Sequence, residues 1–361
     1  MKLIESGLIH FLLYGLCLWD FGLLYGIVAI VLTIKTFDLI LSLFKSTRLS
    51  FHEYLITFES SSDSNQVVSV MITDRIDTEE FKKHFYERVL TKIQKARSIR
   101  VGWPGFYFWK EIDPKVAQSV VYKLDLKLKT EQEMIDYVNA IVPEKLDTNK
   151  PLYEFRVCEE YLEDKSVFFV KFHHCFTDGI GIFSIISCIF DECLTTKFPK
   201  NVKVPGVFDS LLLGLITPYY VYKSLSLAWN WKTDPIASKC KELKDVPNKF
   251  ENQFLCSRDI SFDDIKNRFK KKKSGFTPYM LGILSKSFYQ WFEHYSVKNA
   301  KQIAICVATG LRNFPKTYDE VSLDNGVAFT KIPLPVTSEV NSGMEILKKT
   351  MKKMFDPRMV L

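Results

Sequence analysis

Two adjacent histidines, His173 and His174, end an apolar run and are followed closely by Asp178 and Gly179. A histidine at the end of a buried strand can act as a general base, because imidazole titrates near neutral pH and one ring nitrogen can be fixed by a hydrogen bond. Successive strand residues point to opposite faces, so only one of the two is expected to reach a given cleft. We expect Asp178 to cap the following helix or brace the loop, and Gly179 to permit a turn that other residues would strain.

The same residues would also suit an ordinary strand-to-helix turn, with His173 as a hydrogen-bonded core residue and His174 at the surface. A metal site is disfavoured, because adjacent histidines seldom bind one ion and no further Cys or His has ligand spacing. The sequence contains no G-x-S-x-G motif, so a serine hydrolase is unsupported. Its eight cysteines include no C-x-x-C pair, which favours reduced, mostly buried thiols. We expect no cofactor.

Strands and helices alternate around the histidine pair. PLYEFRVCEE (151–160) and SVFFVKF (166–172) predict two antiparallel strands joined by the polar turn YLEDK. Isoleucines spaced along one face then predict a helix after the motif. In the second half, SFDDIKNRF and the residues after Thr277-Pro278 predict helices, with Pro278 at the first helical position, and KQIAICVATGL and GVAFTKIPLP predict strands. This alternation predicts an α/β fold of packed layers with mixed sheets.

The composition points to lipid rather than nucleic acid. The net charge is only +7 over 361 residues, which is weaker than expected for a nucleic-acid-binding protein. Residues 8–34 are apolar apart from His10 and Asp20, so the region 1–48 predicts a single transmembrane helix or a hairpin anchor. Basic residues follow the apolar stretch, so the bulk of the protein is expected to face the cytosol.

A proline-rich segment, 199–250, predicts a crossover between two halves of the chain, 49–198 and 251–361. Within it, residues 207–229 are apolar and rich in aromatic side chains. This composition favours a helix pair in the membrane interface over a helix buried between domains.

The motif and four further segments resemble one family of acyltransferases. HHCFTDG fits the HHxxxDG pattern of the superfamily that includes chloramphenicol acetyltransferase-like (CAT-like) enzymes and peptide-synthetase condensation domains. Segments in the same order resemble conserved stretches of the wax ester synthase/diacylglycerol acyltransferase (WS/DGAT) family; they are KLDTNKPLYEFRV, ISFDDIKNRFKKKKSGFTPYML, VATGLRNFP and LDNGVAFTKIPLP. The resemblance covers most of residues 50–336. It implies two CAT-like α/β sandwich subdomains that share a tunnel.

The resemblance also implies roles for individual residues. His174 would be the general base that takes the proton of an acceptor hydroxyl, and His173 would support it. Asp178 would orient the loop and Gly179 would keep the tunnel open. Three residues of the second half would contribute to substrate binding or to the loop: Arg312, as a hypothetical ion-pair partner of Asp178, and Asn325 and Gly326, which would line the tunnel or shape the acceptor side.

The implied function is a membrane-bound O-acyltransferase that transfers a fatty acyl group from acyl-CoA to a long-chain alcohol or to diacylglycerol. Such an enzyme would sit at the endoplasmic reticulum or a lipid droplet, with membrane lipid as a further partner. Two alternatives stay open: a same-fold transferase for another alcohol or amine, and a catalytically degenerate lipid-binding protein. The second alternative is motivated by Pro278 and Tyr279, which stand where the family has an Asn-Asp pair, and by a C-terminal subdomain expected to be shortened.

Overall fold

The computed structural model describes residues 28–29, 31–57, 65–103, 106–190, 254–257, 259–297, 301–310, 314–315 and 317–354. They form two compact units. The first unit comprises the described residues up to 190 together with 254–256 and 314–326, and the second comprises the rest. Residues 314–326, which we predicted to belong to the C-terminal subdomain, therefore group with the unit that carries the histidine pair.

A mixed sheet forms the centre of the first unit. Its strands are β2 (Gln66–Asp74), β5 (Val121–Lys123), β6 (Lys127–Leu128), β7 (Tyr153–Tyr161) and β8 (Lys165–His173). They run in the order β2-β8-β7-β5, and β6 also pairs with β7. The β2/β8 and β7/β8 pairs are antiparallel, whereas β5 and β6 run parallel to β7. The predicted hairpin before the motif and the predicted mixed sheet are both confirmed in this unit.

The remaining elements of the first unit pack around this sheet. A three-stranded sheet contains β1 (Ser46–Arg48), β4 (Phe106–Glu111) and β3 (Ser98–Trp103), in that order. The helices are α1 (31–43), α2 (Phe51–Thr57), α3 (Thr78–Phe85), α4 (Pro114–Ala117), α5 (Glu131–Ile141) and α6 (Gly179–Ile189). A π turn (Tyr86–Leu90) continues α3, and short 3-10 turns cover Gln94–Arg97, Gln118–Val120 and Tyr318–Glu320. The Thr130 capping box begins α5, and the Asp77 side chain caps α3.

Strand β8 is buried on both faces, because its alternate residues enter two separate cores. Phe168, Val170 and Phe172 pack in a cluster that includes side chains of α3 and α6. Val167 and Phe169 pack on the other face against α5. Because side chains alternate along a strand, each position of β8 is committed to one of these two layers.

The second unit contains three helices and one antiparallel strand pair. The helices are α7 (Phe262–Lys271), α8 (Phe276–His294) and α9 (Val340–Met354), and β9 (Gln302–Gly310) pairs with β10 (Val327–Pro335). Ser261 caps α7. Helix α8 begins at Phe276, two residues before Pro278, so the proline is not at the first helical position. In the described part of this unit the sheet is purely antiparallel and has two strands, which differs from the mixed sheet that we predicted for the subdomain.

Helices α8 and α9 approach each other closely at two glycines. A Cβ atom on Gly282 would lie 2.9 Å from the Val340 carbonyl oxygen, and one on Gly343 would lie 2.7 Å from the Ser285 hydroxyl. The Ser285 hydroxyl donates to the Pro335 carbonyl at 2.6 Å, which ties α8 to the end of β10. Small residues at these positions are therefore required by packing within the unit.

The membrane segments predicted from the sequence fall largely outside the described residues. Most of the apolar stretch 8–34 and all of 207–229 belong to those parts of the chain. Among the helices that are described, none combines the length and the apolar character needed to cross a bilayer. The N-terminal anchor and the interfacial segment thus stay predictions.

Candidate active site

The histidine pair lies where β8 ends, and backbone hydrogen bonds fix the chain on both sides. The His173 amide donates to the Leu152 carbonyl at 2.9 Å, and the His174 amide donates to the Asn65 carbonyl at 2.7 Å. The His174 ring lies beside Phe172, with ring centroids 6.2 Å apart. His174 therefore continues the face of β8 that carries Phe172, and His173 belongs by alternation to the opposite face. The prediction that the two rings would separate agrees with this arrangement.

His173 is held inside the protein and braces the turn. Its side chain is only 3% exposed. Its Nδ1 accepts a hydrogen bond from the Cys175 amide at 3.0 Å, so in the neutral ring the proton resides on Nε2. The His173 carbonyl accepts from the Phe176 amide at 2.9 Å and closes the turn. The ring thus shapes the motif backbone from within, which is the position expected of a supporting residue.

His174 is half-buried, whereas His173 is buried. The His174 Nδ1 is buried and has no hydrogen-bond partner within the described part of the chain. Of the two ring nitrogens, Nε2 is therefore the candidate for contact with a bound molecule, because Nδ1 is enclosed by protein. A histidine held in a fixed turn can take a proton from a hydroxyl placed at its Nε2.

Asp178 joins the motif to a distant segment through its two carboxylate oxygens. The side chain is fully buried. Its Oδ1 accepts from the Gly181 amide at 2.8 Å and caps α6, and its Oδ2 accepts from the Gly326 amide at 2.8 Å. The predicted helix cap is thus present. The predicted ion pair with Arg312 involves a residue outside the described part and stays a hypothesis.

Asn325 holds the motif backbone rather than facing away from it. Its side-chain Nδ2 donates to the His174 carbonyl at 2.9 Å and lies 3.5 Å from the Cys175 carbonyl oxygen. Its Oδ1 is buried without a hydrogen-bond partner in the described residues. Together with the Gly326 amide, Asn325 connects residues 325–326 to both sides of the turn. The sequence predicted these two residues to line a tunnel, and the structure places them against the histidine loop.

Gly179 does not occupy a strained turn, so that part of the prediction was wrong. It is the first residue of α6, it is exposed, and its φ angle is not in the left-handed region that favours glycine. A Cβ atom added here would meet no atom within 4 Å. The Asp-Gly pair predicted a turn, but the backbone has already entered the helix at this residue. The open space beside Gly179 is compatible with the other role predicted for this residue, which is to keep the tunnel open.

Cys175 follows His174 directly but is a poor nucleophile. Its thiol is fully buried, and burial raises its pKa to about 11. The Arg100 guanidinium lies 3.6 Å from the sulfur and partly offsets this effect. At neutral pH the thiol is therefore protonated, and the thiolate needed for attack is scarce. This environment could not be inferred from the sequence, because Arg100 lies on β3.

A buried ion pair, absent from the predictions, lies near the motif. Glu53 is 2% exposed and bonds to Lys95. A cavity of about 830 Å³ opens beside the pair. Its charged lining residues are three basic and three acidic side chains; they are Arg48, Lys92, Lys95, Glu53, Asp319 and Asp324. This balance favours neither an anionic nor a cationic ligand. Within the described residues, no group of three or more His, Cys, Asp or Glu could hold a metal ion.

Comparison with known proteins relates this site to one family. Residues 129–211, which include the histidine pair, match the model of the wax ester synthase/diacylglycerol acyltransferase catalytic domain. Over 72 residues the chain is 28% identical to a protein of Mycobacterium tuberculosis named "Probable diacyglycerol O-acyltransferase" and to a Mycobacterium bovis relative that also carries the name diacylglycerol O-acyltransferase. These matches cover 20% of this chain and only 16% of each relative.

Solved structures show the same fold over most of the chain. The wax ester synthase/diacylglycerol acyltransferase from Marinobacter aquaeolei VT8 matches with a TM-score of 0.54 at 12% identity, covering 87% of this chain and 74% of that one. The first condensation domain of the calcium-dependent antibiotic synthetase matches with a TM-score of 0.54 at 11% identity, covering 85% and 74%. The chain therefore has the condensation-domain-like α/β fold, and its segment 129–211, which carries the histidine pair, is similar to the catalytic domain of the wax ester synthase/diacylglycerol acyltransferase family.

Proposed function

We propose that this protein is an acyl-CoA-dependent O-acyltransferase that uses His174 as its general base. The observation that carries the proposal is the arrangement of that histidine: the residue is half-buried with its Nδ1 enclosed, and hydrogen bonds from Asn325 and to Asp178 hold the turn around it. The match of residues 129–211 to the family model supports the same chemistry. The substrates follow from the family and from the relatives' names: an acyl-CoA donor and diacylglycerol or a long-chain alcohol as acceptor.

The reaction needs one proton transfer and one acyl transfer. His174 Nε2 takes the proton of the acceptor hydroxyl as its oxygen attacks the thioester carbonyl carbon. A C–O bond forms, the carbonyl electrons move to oxygen, and their return breaks the C–S bond. The departing CoA thiolate takes the proton from the imidazolium, so the products are an ester and free CoA. No covalent acyl-enzyme is required, in agreement with the protonated Cys175 thiol.

We also propose that the enzyme works at a membrane, at the endoplasmic reticulum or a lipid droplet, with its catalytic part in the cytosol. The acyl donor and either acceptor carry long hydrocarbon chains, which favour a lipid environment. The apolar stretch 8–34 and the net charge of +7 support attachment to an anionic surface. A transferase for a smaller alcohol or amine, or a degenerate lipid-binding protein, would share the fold but give a different result in the assay below.

The test uses membranes that contain the full chain, with labelled palmitoyl-CoA as donor. Hexadecanol, dioleoylglycerol, a short alcohol and a long-chain amine serve as separate acceptors. We expect labelled ester with at least one of the first two, and a loss of about 10²–10⁴-fold in kcat for His174→Ala, because this is the usual contribution of a general base. His84→Ala, a change to a histidine of α3, serves as the matched control and should keep wild-type activity.

Each other outcome refutes a distinct part of the proposal. Equal ester formation by His174→Ala would refute the mechanism. Product with the short alcohol or the amine alone would refute the substrate class and favour the related transferase. Saturable binding of palmitoyl-CoA without turnover on any acceptor would favour the degenerate protein. Because His174 acts on the acceptor proton, His174→Ala should still bind palmitoyl-CoA with near wild-type affinity.

A further inference from the structure

The buried ion pair Glu53–Lys95 is held in one geometry from several sides. Glu53 bonds to Lys95 through Oε1, while its Oε2 accepts from the Ser50 amide at 2.7 Å and from the Trp109 indole at 3.3 Å. The Lys95 side chain is 15% exposed. A buried carboxylate with this many donors is fixed, and it fixes the ammonium group that it contacts.

Lys95 uses a second hydrogen bond to hold the segment 323–326. Its Nζ donates to the Leu323 carbonyl at 2.9 Å, and the Leu323 side chain is itself buried in the core. Two residues further on, Asn325 donates to the His174 carbonyl, and the Gly326 amide donates to Asp178. The segment is thus fixed by Lys95 at one end and bonded to the histidine turn at the other.

The same ammonium group also approaches the motif from the core side. Lys95 Nζ lies 5.1 Å from the centroid of the Trp109 ring and 5.8 Å from that of Phe176. Trp109 and Phe176 meet edge to face, with centroids 6.0 Å apart. A cation over aromatic faces is attracted by their quadrupoles. Phe176 is two residues after His174, so Lys95 contacts both the histidine motif and the segment 323–326 that is hydrogen-bonded to it.

We propose that Lys95 and Glu53 are positioning residues for His174, which act by holding residues 323–326 so that Asn325 and Gly326 keep the histidine turn in its reactive geometry. The inference rests on the proposed acyl transfer, in which His174 is the base. A buried ion pair contributes little to stability compared with well-packed apolar residues of similar volume. A purely structural pair could therefore be replaced by such residues without loss of activity, whereas a positioning pair could not.

The first measurement is independent of activity. Hydrogen–deuterium exchange, followed by mass spectrometry, is compared for wild type, Lys95→Met and Lys165→Met. Lys165 forms an exposed ion pair with Asp74 at the opposite end of β8, so its variant controls for loss of a lysine charge. We expect Lys95→Met to accelerate exchange in peptides that cover 321–327 and 173–180 while peptides of β5 and α5 stay protected. Lys165→Met should leave all four regions unchanged.

The second measurement uses the acyl-transfer assay. Misplacing a reacting group by about 1 Å can cost 10²-fold in rate, so we expect Lys95→Met to lower kcat by about 10- to 100-fold with little change in the KM for palmitoyl-CoA. Lys95→Arg keeps a charged donor and should recover part of kcat. Asn325→Ala acts through the same segment, so the double variant with Lys95→Met should lose less than the product of the two single losses.

The two measurements separate the inference from the proposed function. If wild type transfers no acyl group, the proposed function fails, and the exchange data still decide whether Lys95 holds the segment. Unchanged exchange at 321–327 in a folded Lys95→Met protein would overturn the inference, as would strictly multiplicative kcat losses. If Lys95→Met does not fold, the double variant Lys95→Met/Glu53→Leu removes both charges. Wild-type kcat or failure to fold in that variant would show that the pair only supports the fold.

Discussion

The carboxylate of Asp178 offers a sharp test of how the motif is connected to the rest of the first unit. Replacing it by Asn keeps the shape of the side chain but leaves a single acceptor oxygen. Asn caps helices about as well as Asp, so we expect that oxygen to stay with the Gly181 amide at the start of α6. The new NH2 group then faces the Gly326 amide, which is also a donor.

The expected loss of stability follows from these contacts. A hydrogen bond to a charged group contributes about 1.5–3 kcal/mol, and Asp178→Asn removes one such bond in a fully buried site. Loss of the negative charge at the N-terminus of α6 adds about 0.3–1 kcal/mol. Together these terms predict that the free energy of unfolding falls by about 2–4 kcal/mol.

Urea unfolding followed by intrinsic fluorescence measures this change, with Asp77→Asn as the matched control. Asp77 caps α3 from an exposed position, where its Oδ1 accepts from the Glu79 and Glu80 amides at 2.9 Å. Its variant should lose no more than a few tenths of a kcal/mol. Equal stability of Asp178→Asn and wild type would refute the reasoning, and so would equal losses in the two variants. Hydrogen exchange should quicken at Gly326 and not at Gly181.

Three further changes test other parts of the first unit. Lys171 is buried, and desolvation lowers its pKa below the ordinary value of 10.5. Just below pH 10.5 the unfolded chain therefore binds more protons at this residue than the folded protein does. The free energy of unfolding of wild type, relative to that of Lys171→Met, should thus rise as the pH approaches 10.5. Hydrogen bonds from Lys123 and Thr78 lower the pKa of Glu159 to about 2. The difference in the free energy of unfolding between wild type and Glu159→Gln should therefore reach its maximum above pH 4.5 and vanish toward pH 2, as measured by acid unfolding. Iodoacetamide at pH 7.5 should modify the exposed Cys306 but not Cys175, as measured by mass spectrometry. The variant Cys175→Ala should retain acyl transfer. Labelling of Cys175 in the native protein, or loss of acyl transfer in the variant, would contradict the assignment of Cys175 as a buried, unreactive thiol.

Features that depend on neighbours in the sequence could be predicted. The β7–β8 hairpin follows from two apolar runs separated by a polar turn, and the cap at Asp178 follows from an acidic residue directly before an apolar helix. Alternation along the strand also predicted that His173 and His174 would face opposite sides, although only the resemblance to the family indicated which of them would be the base. These features need only the period of the backbone and the chemistry of a few adjacent side chains.

Features that join distant parts of the chain could not be predicted in the same way. The second oxygen of Asp178 accepts a hydrogen bond from the Gly326 amide, and Lys95 donates one to the Leu323 carbonyl. Every residue other than proline has these backbone groups, so the residue types do not indicate which of them will be used. The resemblance to the family pointed to Asn325 and Gly326 as residues of the tunnel. It did not predict that they would form hydrogen bonds with the histidine turn and with Asp178. Gly179 was misread because Asp-Gly is a common turn pair, although here it begins a helix.

The pairing of β8 constrains how this region can change in evolution. The strand is in unbroken register with β2 from Gln66 opposite His173 to Asp74 opposite Lys165. Adding or deleting one residue between Lys165 and His173 would exchange the two faces of the strand, and the histidine beside Phe172 would be replaced by its neighbour. Substitutions that preserve alternation can therefore accumulate in β8, whereas its length is fixed. The irregular pairing of β7 between Cys158 and Tyr161, at the far end of the hairpin, is where a change in length can be absorbed without moving the histidines.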